Sequence, residues 1–388
     1  MSLSRRRFVS GVAAAFGYAG LWPTDLFAQD RLGQPAPGRR VPLDLDKVAK
    51  LNNNENPYGP PESVMQAMHS AWKWVNRYGA PDGGLSGAIQ ELHGVKAENV
   101  ILGAGSGEIL NVVGITFLLG GKKVLGVEPS YGSVYQQATS IKSEAIKLPL
   151  NKDYTQNIPA LIEAANTYAS QIGFIYLCNP NNPTGLIVPK EEVKQLLDRI
   201  PNDMPVLIDE AYHHFVDSPK YATSIPYVLE GRPVIVTRTF SKIAGLAAMR
   251  LGFGIAPAAL IQRMRPFATG SQNVLVKFGG AASIKDTAAQ QKVKALNMQV
   301  RDKTTAELRA YGYEVIPSEA NFFMVGIRRN VQAVGQEFSK RDVLVGRPFP
   351  PMTEHLRVSV GTQDEMNRFM AAFKEIFPAG TMSVAVGQ

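Results

Sequence analysis

The sequence predicts an α/β protein: a large domain with a mostly parallel sheet between helices, followed by a smaller α+β domain. Three observations carry this. From about residue 75 to 275, strand-like runs alternate with helical patterns. Most of those runs are near-continuous and β-branched, as in strands buried on both faces. From about residue 285 the texture changes to one long amphipathic pattern, then short strands and a closing helix. A chain of 388 residues is long enough to bury two such cores.

The first residues stand apart. Arg5, Arg6 and Arg7 precede an uncharged apolar stretch from Phe8 to Trp22, and small residues follow up to Ala28. Residues 1–28 therefore read as an export signal, and "SRRRFVSG" resembles a twin-arginine signal with Arg5 and Arg6 as the pair. The expectation is an exported, periplasmic protein that uses the twin-arginine machinery, or one tethered by an uncleaved signal. A disordered or amphipathic N-terminus is the alternative. Residues 29–74 are rich in Pro, Asn and Gly, with a helix-like stretch from Glu62 to Trp74, and are expected to form an arm packed with the small domain.

Residues 75–280 hold the large domain. Its strand-like runs are "NVILGAG", "KKVLGVEPS", "QIGFIYLCNP", "PVLIDEAY", "PVIVTRTFSK" and "GFGIAP". "PKEEVKQLLDRI" reads as a crossover helix, with Pro and acids at its start. Residues 281–388 hold the small domain: a long helix over "TAAQQKVKALNMQVRDKTTAELRAYG", the strands "YEVI", "NFFMVGI" and "LRVSVGT", and a helix over "DEMNRFMAAFKEIF".

Composition narrows the function. The formal charge of +8 forms no Lys/Arg stripe beyond the N-terminus, so no nucleic-acid partner is expected. Cys178 is the single cysteine and sits in an apolar run, which excludes an internal disulfide and favours a core role. His213 and His214 are adjacent, project differently and bring no further compact ligand set, so no metal site is expected.

Ligands of open parallel sheets bind beyond the carboxyl ends of strands, and most runs here end in a polar cluster. In "GAGSGEIL", backbone N–H groups at a helix start, with Ser106, form either an anion cradle or a tight turn. Tyr131 in "EPSYGSVY" either lies on a flat ring or packs at the surface. "NPNNPTG" fixes an unusual turn and presents the Asn182 amide. Asp209, in "VLIDEAY", ends a buried strand, where a carboxylate is costly without a cation or donors. Lys242 sits between hydroxyls and small apolar residues, with Thr239, Ser241 and Arg250 nearby. A partly desolvated lysine is a nucleophile for carbonyls. An amine, a carboxylate, an anion cradle and a stacking ring together suit an aldehyde-bearing pyridine phosphate.

With these residues in order, the chain resembles the class I/II aminotransferases, the fold-type I enzymes that use pyridoxal 5'-phosphate, in their histidinol-phosphate aminotransferase-like branch. The resemblance spans roughly residues 45 to 375. It rests on "NNNENPYGP", "RYGAPDG", "GAGSGE", "EPSYG", "NPNNPTG", "DEAY", "TFSK" with Arg250 beyond it, and "LRVSVGT".

The resemblance implies a seven-stranded, mostly parallel sheet in the large domain. It implies that Lys242 forms the internal aldimine and shuttles the proton, and that Asp209 pairs with the ring nitrogen. Asn182 and Tyr212 are implied to bind the phenolic oxygen and Tyr131 to stack on the ring. The phosphate falls to Ser106, Gly107, Thr239, Ser241 and Arg250, with Tyr78 reaching across from a neighbouring subunit of a homodimer. Arg357 is implied to clamp the substrate carboxylate, Tyr58 to line the pocket across the dimer, and Arg347 to hold an acidic side group. The implied reaction moves an amino group from an α-amino acid to a 2-oxo acid. A lyase, racemase or oxidase on the same scaffold is the alternative, and a non-catalytic binder of the cofactor is the remaining one. Histidine biosynthesis is cytoplasmic, so an exported chain is expected to apply the family chemistry to a different substrate.

Overall fold

The computed structural model describes residue 44 and residues 47–378; the arginine-led stretch over 1–28 lies outside the described residues. In chain order the elements are β1 (Ala49–Leu51), α1 (Glu62–Ser70), α2 (Leu85–His93), β2 (Val100–Gly103), α3 (Ser106–Leu118), β3 (Lys123–Glu128), α4 (Ser133–Ser140), β4 (Ala145–Pro149), α5 (Ile158–Thr167) and β5 (Ile172–Cys178). There follow α6 (Lys190–Arg199), β6 (Val206–Asp209), α7 (Ile225–Leu229), β7 (Val234–Thr239), β8 (Gly252–Ile255), α8 (Ala258–Met264), α9 (Val274–Lys285) and α10 (Thr287–Ala310). The remainder is β9 (Val315–Ile316), β10 (Phe322–Gly326), α11 (Val331–Ser339), β11 (Val343–Val345), β12 (His355–Ser359) and α12 (Gln363–Ile376).

Seven strands form one sheet in the order β2-β8-β7-β6-β5-β3-β4. The pairs from β4 through β7 are parallel, and β8 runs antiparallel to both β7 and β2. Successive side chains on a strand point to opposite faces, and here both faces are apolar. Val127, Leu177, Ile208 and Val236 pack into one core. Val124, Tyr176, Leu207 and Ile235 pack into the other. This double burial is why the strands read as continuous apolar runs. The strand β4, half-exposed at the sheet edge and carrying Lys147, is absent from those runs for the same reason.

A further core gathers Phe323, Val325, Phe338, Leu356, Val358, Phe369 and Phe373 from β10, α11, β12 and α12. There β12, β10 and β9 pair antiparallel. The early strand β1 pairs in parallel with β11, and Ala49 and Leu51 enter this core. The chain before α1 is thereby fixed beside β12. α12 starts with a reciprocal cap, Thr362 accepting from the Glu365 N–H and Glu365 from the Thr362 N–H.

Candidate active site

The central parallel strands end side by side: Cys178 of β5 pairs with Asp209 of β6, and Asp209 pairs with Thr237 of β7. Polar side chains cluster just beyond these ends: Asn182 after β5, Tyr212 after β6 and Lys242 after β7, with Asn182 and Lys242 both against Tyr212.

Lys242 follows β7 and is half-buried. Its ammonium donates to the Asn53 carbonyl at 3.1 Å and lies 5.5 Å from the Tyr212 ring centre. Burial, and then the Arg357 guanidinium, pull its pKa from 10.5 to about 8; Arg250 adds to this, while Glu55 and Asp209 oppose it. Near neutrality this amine exchanges its proton readily.

Asp209 is only 2% exposed. Its Oδ1 accepts from the Thr237 hydroxyl and the Ala211 N–H, each at 3.2 Å. Burial dominates these bonds and raises the carboxyl to about 6. Such a group gains from a cation placed beside it.

A chain of polar contacts leads from Tyr212 to Arg357. The buried Tyr212 hydroxyl accepts from Asn54 Nδ2 at 3.0 Å and from Asn182 Nδ2 at 3.3 Å. Burial raises this phenol well above its ordinary value, so it keeps its proton. Asn182 Oδ1 accepts from Arg357 Nη1 at 2.8 Å, and Arg357 Nη2 donates to the Asn52 carbonyl. Arg357 sits on β12, buried, with its guanidinium against the rings of Phe322 and Phe349.

A second group forms where α3 begins. In register, Gly252 of β8 lies between Gly103 of β2 and Thr239 of β7, which brings the "GAGSG" turn beside the "TFSK" segment. Arg250, in the left-handed region at φ 60°, donates to Ser241 Oγ at 3.2 Å, to the Ala247 carbonyl at 2.8 Å and to the Ala104 carbonyl at 3.4 Å. Thr239 Oγ1 donates to Ser241 Oγ at 3.0 Å. Gly105, at φ +85°, caps α3, so Ser106 is its first residue and not the cap. A Cβ at Gly105 would stand 2.1 Å from Arg250 Nη2. The Arg250 guanidinium thus lies against the N-terminus of α3 and bonds the Ser241 hydroxyl, which is itself bonded to Thr239, a set of donors that fits a phosphate.

The other expected residues are placed as follows. Tyr131 is half-buried just beyond β3, packed on the core that holds Tyr176 and Cys178. Tyr58 is 39% exposed, and Tyr78 is fully exposed, so a single chain does not bring Tyr78 into the site. Arg347 donates to the Pro348 carbonyl at 3.0 Å and lies over the Phe349 ring, 4.3 Å from its centre. The structure adds residues that the sequence reading passes over. From "NNNENPYGP" that reading takes only Tyr58, whereas Asn52, Asn53 and Asn54 touch Arg357, Lys242 and Tyr212. The left-handed φ of 53° at Asn54, a conformation asparagine tolerates, is a reason for that residue type.

His213 and His214 pack ring to ring at 3.7 Å. With His93 and Arg238 they line a cavity of about 30 Å³. Burial holds His214 down to about 3 and His93 to about 4. Arg238 is engaged by the buried Glu210 at 2.8 Å. Among the described residues, no group of three or more His, Cys, Asp or Glu could hold a metal. Cys178 is buried, and burial raises its thiol far above the reactive range.

Residues 46–373 match the family described as aminotransferase class I and II. The chain is 34% identical to the histidinol-phosphate aminotransferase of Moorella thermoacetica over 89% of each protein. It is 32% identical to histidinol-phosphate aminotransferase 2 of Nitrosospira multiformis, covering 86% of this chain and 84% of that one. A crystal structure of a candidate histidinol-phosphate aminotransferase from Erwinia carotovora atroseptica superposes with a TM-score of 0.80 at 28% identity, over 86% of this chain and 96% of that one. The histidinol-phosphate aminotransferase of Sinorhizobium meliloti, in complex with pyridoxal-5'-phosphate, shares the fold at 22% identity, with a TM-score of 0.77 over 85% and 91% of the two chains.

The chain belongs to the class I and II aminotransferases and is a pyridoxal-phosphate-dependent transaminase. The expected periplasmic localisation is corrected by the same comparisons. The relatives that share most of the chain are histidinol-phosphate aminotransferases, enzymes of a cytoplasmic biosynthesis. An apolar stretch behind arginines resembles an export signal by composition alone, and it is a weaker guide than these long matches.

Proposed function

We propose that the crevice around Lys242 is the transamination site and that its residues divide the work as follows. Bound there, pyridoxal phosphate supplies an aldehyde for amines and a protonated ring that accepts the electrons of a carbanion. Ser106, Gly107, Thr239, Ser241 and Arg250 hold the phosphate. Asp209 would pair with the ring nitrogen, whose positive charge would favour its ionised form. Asn54 and Asn182 both donate to Tyr212, which leaves the Tyr212 proton for the phenolic oxygen; Tyr131 stacks on the ring. The Lys242 amine would take the α-proton and return it, a task suited to a pKa near 8. Arg357, aimed by Asn182 and the Asn52 carbonyl, binds the anionic group of the donor, with Arg347 and Tyr58 further out. The single observation that carries this reading is the place of Lys242: it lies against Tyr212 of the Asn54–Tyr212–Asn182–Arg357 chain and directly follows Ser241, which accepts from Arg250.

A homodimer completes the site, with Tyr78 and Tyr58 contributed across it; the exposed Met65, Trp72 and Val75 beside them suit a covered face. Residues 75–280 serve as the cofactor-binding domain, with α1 packed on its core through Val64, and residues 281–388, joined by β1, as the substrate-side domain.

The test is a donor screen followed by absorbance of the purified enzyme, with amino acids and histidinol phosphate as donors and 2-oxoglutarate as acceptor. The enzyme is expected to be yellow and to lose that band in Lys242→Ala. Turnover is expected to depend on the 2-oxo acid; turnover that proceeds equally without an acceptor rejects transamination at this site in favour of a lyase or oxidase.

A further inference from the structure

We propose that Phe349 is a positioning residue that holds the guanidinium of Arg357 in register for the substrate anion and couples it to Arg347. This rests on the reading of Arg357 as the substrate-anion clamp.

A guanidinium is held both at its edge and on its faces. Its donors lie in its plane and its faces are poorly hydrated, so hydrogen bonds fix its edge while aromatic rings fix its faces. For Arg357 the edge is fixed by Asn182 Oδ1 and the Asn52 carbonyl. The guanidinium carbon lies 4.7 Å from the centre of the Phe349 ring and 5.7 Å from that of Phe322. The two rings come from different places. Phe322 starts β10, which pairs with β12, so the sheet itself fixes it. Phe349 comes from the segment between β11 and β12, which has to be drawn onto Arg357.

Gly346 does the drawing. Its N–H donates to the Arg357 carbonyl at 2.9 Å. A Cβ there would stand 2.7 Å from that carbonyl oxygen and 3.3 Å from Arg357 Nε. Only glycine allows the backbone to pass so close to the arginine. Three residues on, Phe349 is buried at 5% exposure and bridges to Met352, which closes the segment as a loop over β12. The same ring carries the Arg347 guanidinium at 4.3 Å. One aromatic ring thus touches both arginines expected to meet the substrate. Two cations that repel one another share one negative quadrupole, so the ring sets where each stands.

The experiment compares Phe349→Leu, which keeps apolar volume but removes the ring, with Phe349→Tyr, which keeps the ring, each alone and combined with Arg357→Lys. Three readouts are taken on holoenzyme: the dissociation constant for succinate by calorimetry, kcat and KM with the best donor, and Tm. In Phe349→Leu the succinate dissociation constant and KM are expected to rise roughly 5- to 30-fold, the worth of one or two such contacts, with kcat within about 2-fold. Phe349→Tyr is expected to bind like wild type. In the Arg357→Lys background, Phe349→Leu is expected to add a smaller effect than it does alone, since of the two arginines on the ring only Arg347 remains.

An undiminished effect of Phe349→Leu in that background overturns the positioning role and leaves the clamp standing. So does wild-type succinate binding in Phe349→Leu, or equal loss in the leucine and tyrosine variants. Succinate binding that is unchanged by Arg357→Lys alone overturns the clamp, and the positioning role with it.

Discussion

Lys242 and Asp209 carry opposite electrostatic debts, and each has a signature in pH. In the cofactor-free protein Lys242 titrates at about 8 against 10.5 in its ordinary state, chiefly because it is buried. Between those values the unfolded chain binds the extra proton, so stability rises with pH through that window; below pH 8 the cost of the buried charge is fully present. Lys242→Met apoprotein is therefore expected to be more stable than wild type at pH 7, on the order of 1–2 kcal/mol, with the gap closing by pH 10. Urea unfolding at the two pH values checks this. Asp209 behaves the other way. It titrates at about 6 against 3.8, so between those values the folded state holds the extra proton and stability falls as pH rises. A cation at the ring nitrogen reverses that cost, so cofactor affinity in wild type should tighten from about pH 5 to pH 7. In Asp209→Asn the affinity should be flat over that range, and turnover should fall about 100- to 1,000-fold. A wild-type affinity that does not vary with pH separates Asp209 from the ring nitrogen.

At the level of elements, the cradle proposed for the phosphate depends on how β2, α3 and the turn after β7 meet. Gly105 stands in the left-handed region with Arg250 Nη2 where its Cβ would be. Gly105→Ala is expected to push the guanidinium out, raise the cofactor dissociation constant at least about 10-fold, and lower Tm by a few degrees. Equilibrium dialysis against pyridoxal phosphate and a thermal melt check both. A normal dissociation constant with a lowered Tm would limit Gly105 to a folding role. The central strands β3, β5, β6, β7 and β8 were legible because double burial leaves uninterrupted apolar runs, and α6, α10 and α12 because their periodicity is clean. The edge strand β4 was not, since its exposed Lys147 and Pro149 interrupt the apolar run. The parallel partnership of β1 with β11 was not legible either, because a three-residue strand pairing across nearly the whole chain leaves no local pattern. Within the site, residues that end strands were readable from their cost: Asp209 and Lys242 are charges in apolar surroundings. Asn52 and Asn53 act through backbone carbonyls, and Phe349 through a ring face, and neither role has a residue-type signature.

The whole molecule poses a question of completeness, because Tyr78 is fully exposed in the single chain while its neighbours Trp72 and Val75 also face outward. A tyrosine that serves the cradle from that position can do so only in another copy. A twofold dimer makes this reciprocal: each subunit lends its Tyr78 and receives its partner's. The consequence can be measured by mixing two inactive proteins. Lys242→Ala lacks the amine, and Tyr78→Ala lacks the lent hydroxyl. In a mixed dimer one site holds both lesions. The other combines the intact Lys242 of the Tyr78→Ala subunit with the intact Tyr78 of the Lys242→Ala subunit. If subunits exchange randomly, half the dimers are mixed and each carries one intact site, so activity should recover to about a quarter of wild type. Recovery should follow the rate of subunit exchange and vanish when exchange is blocked by crosslinking before mixing. Activity that stays at the mean of the two parents, while native mass spectrometry shows mixed dimers, would mean that Tyr78 serves its own subunit's site and not its partner's.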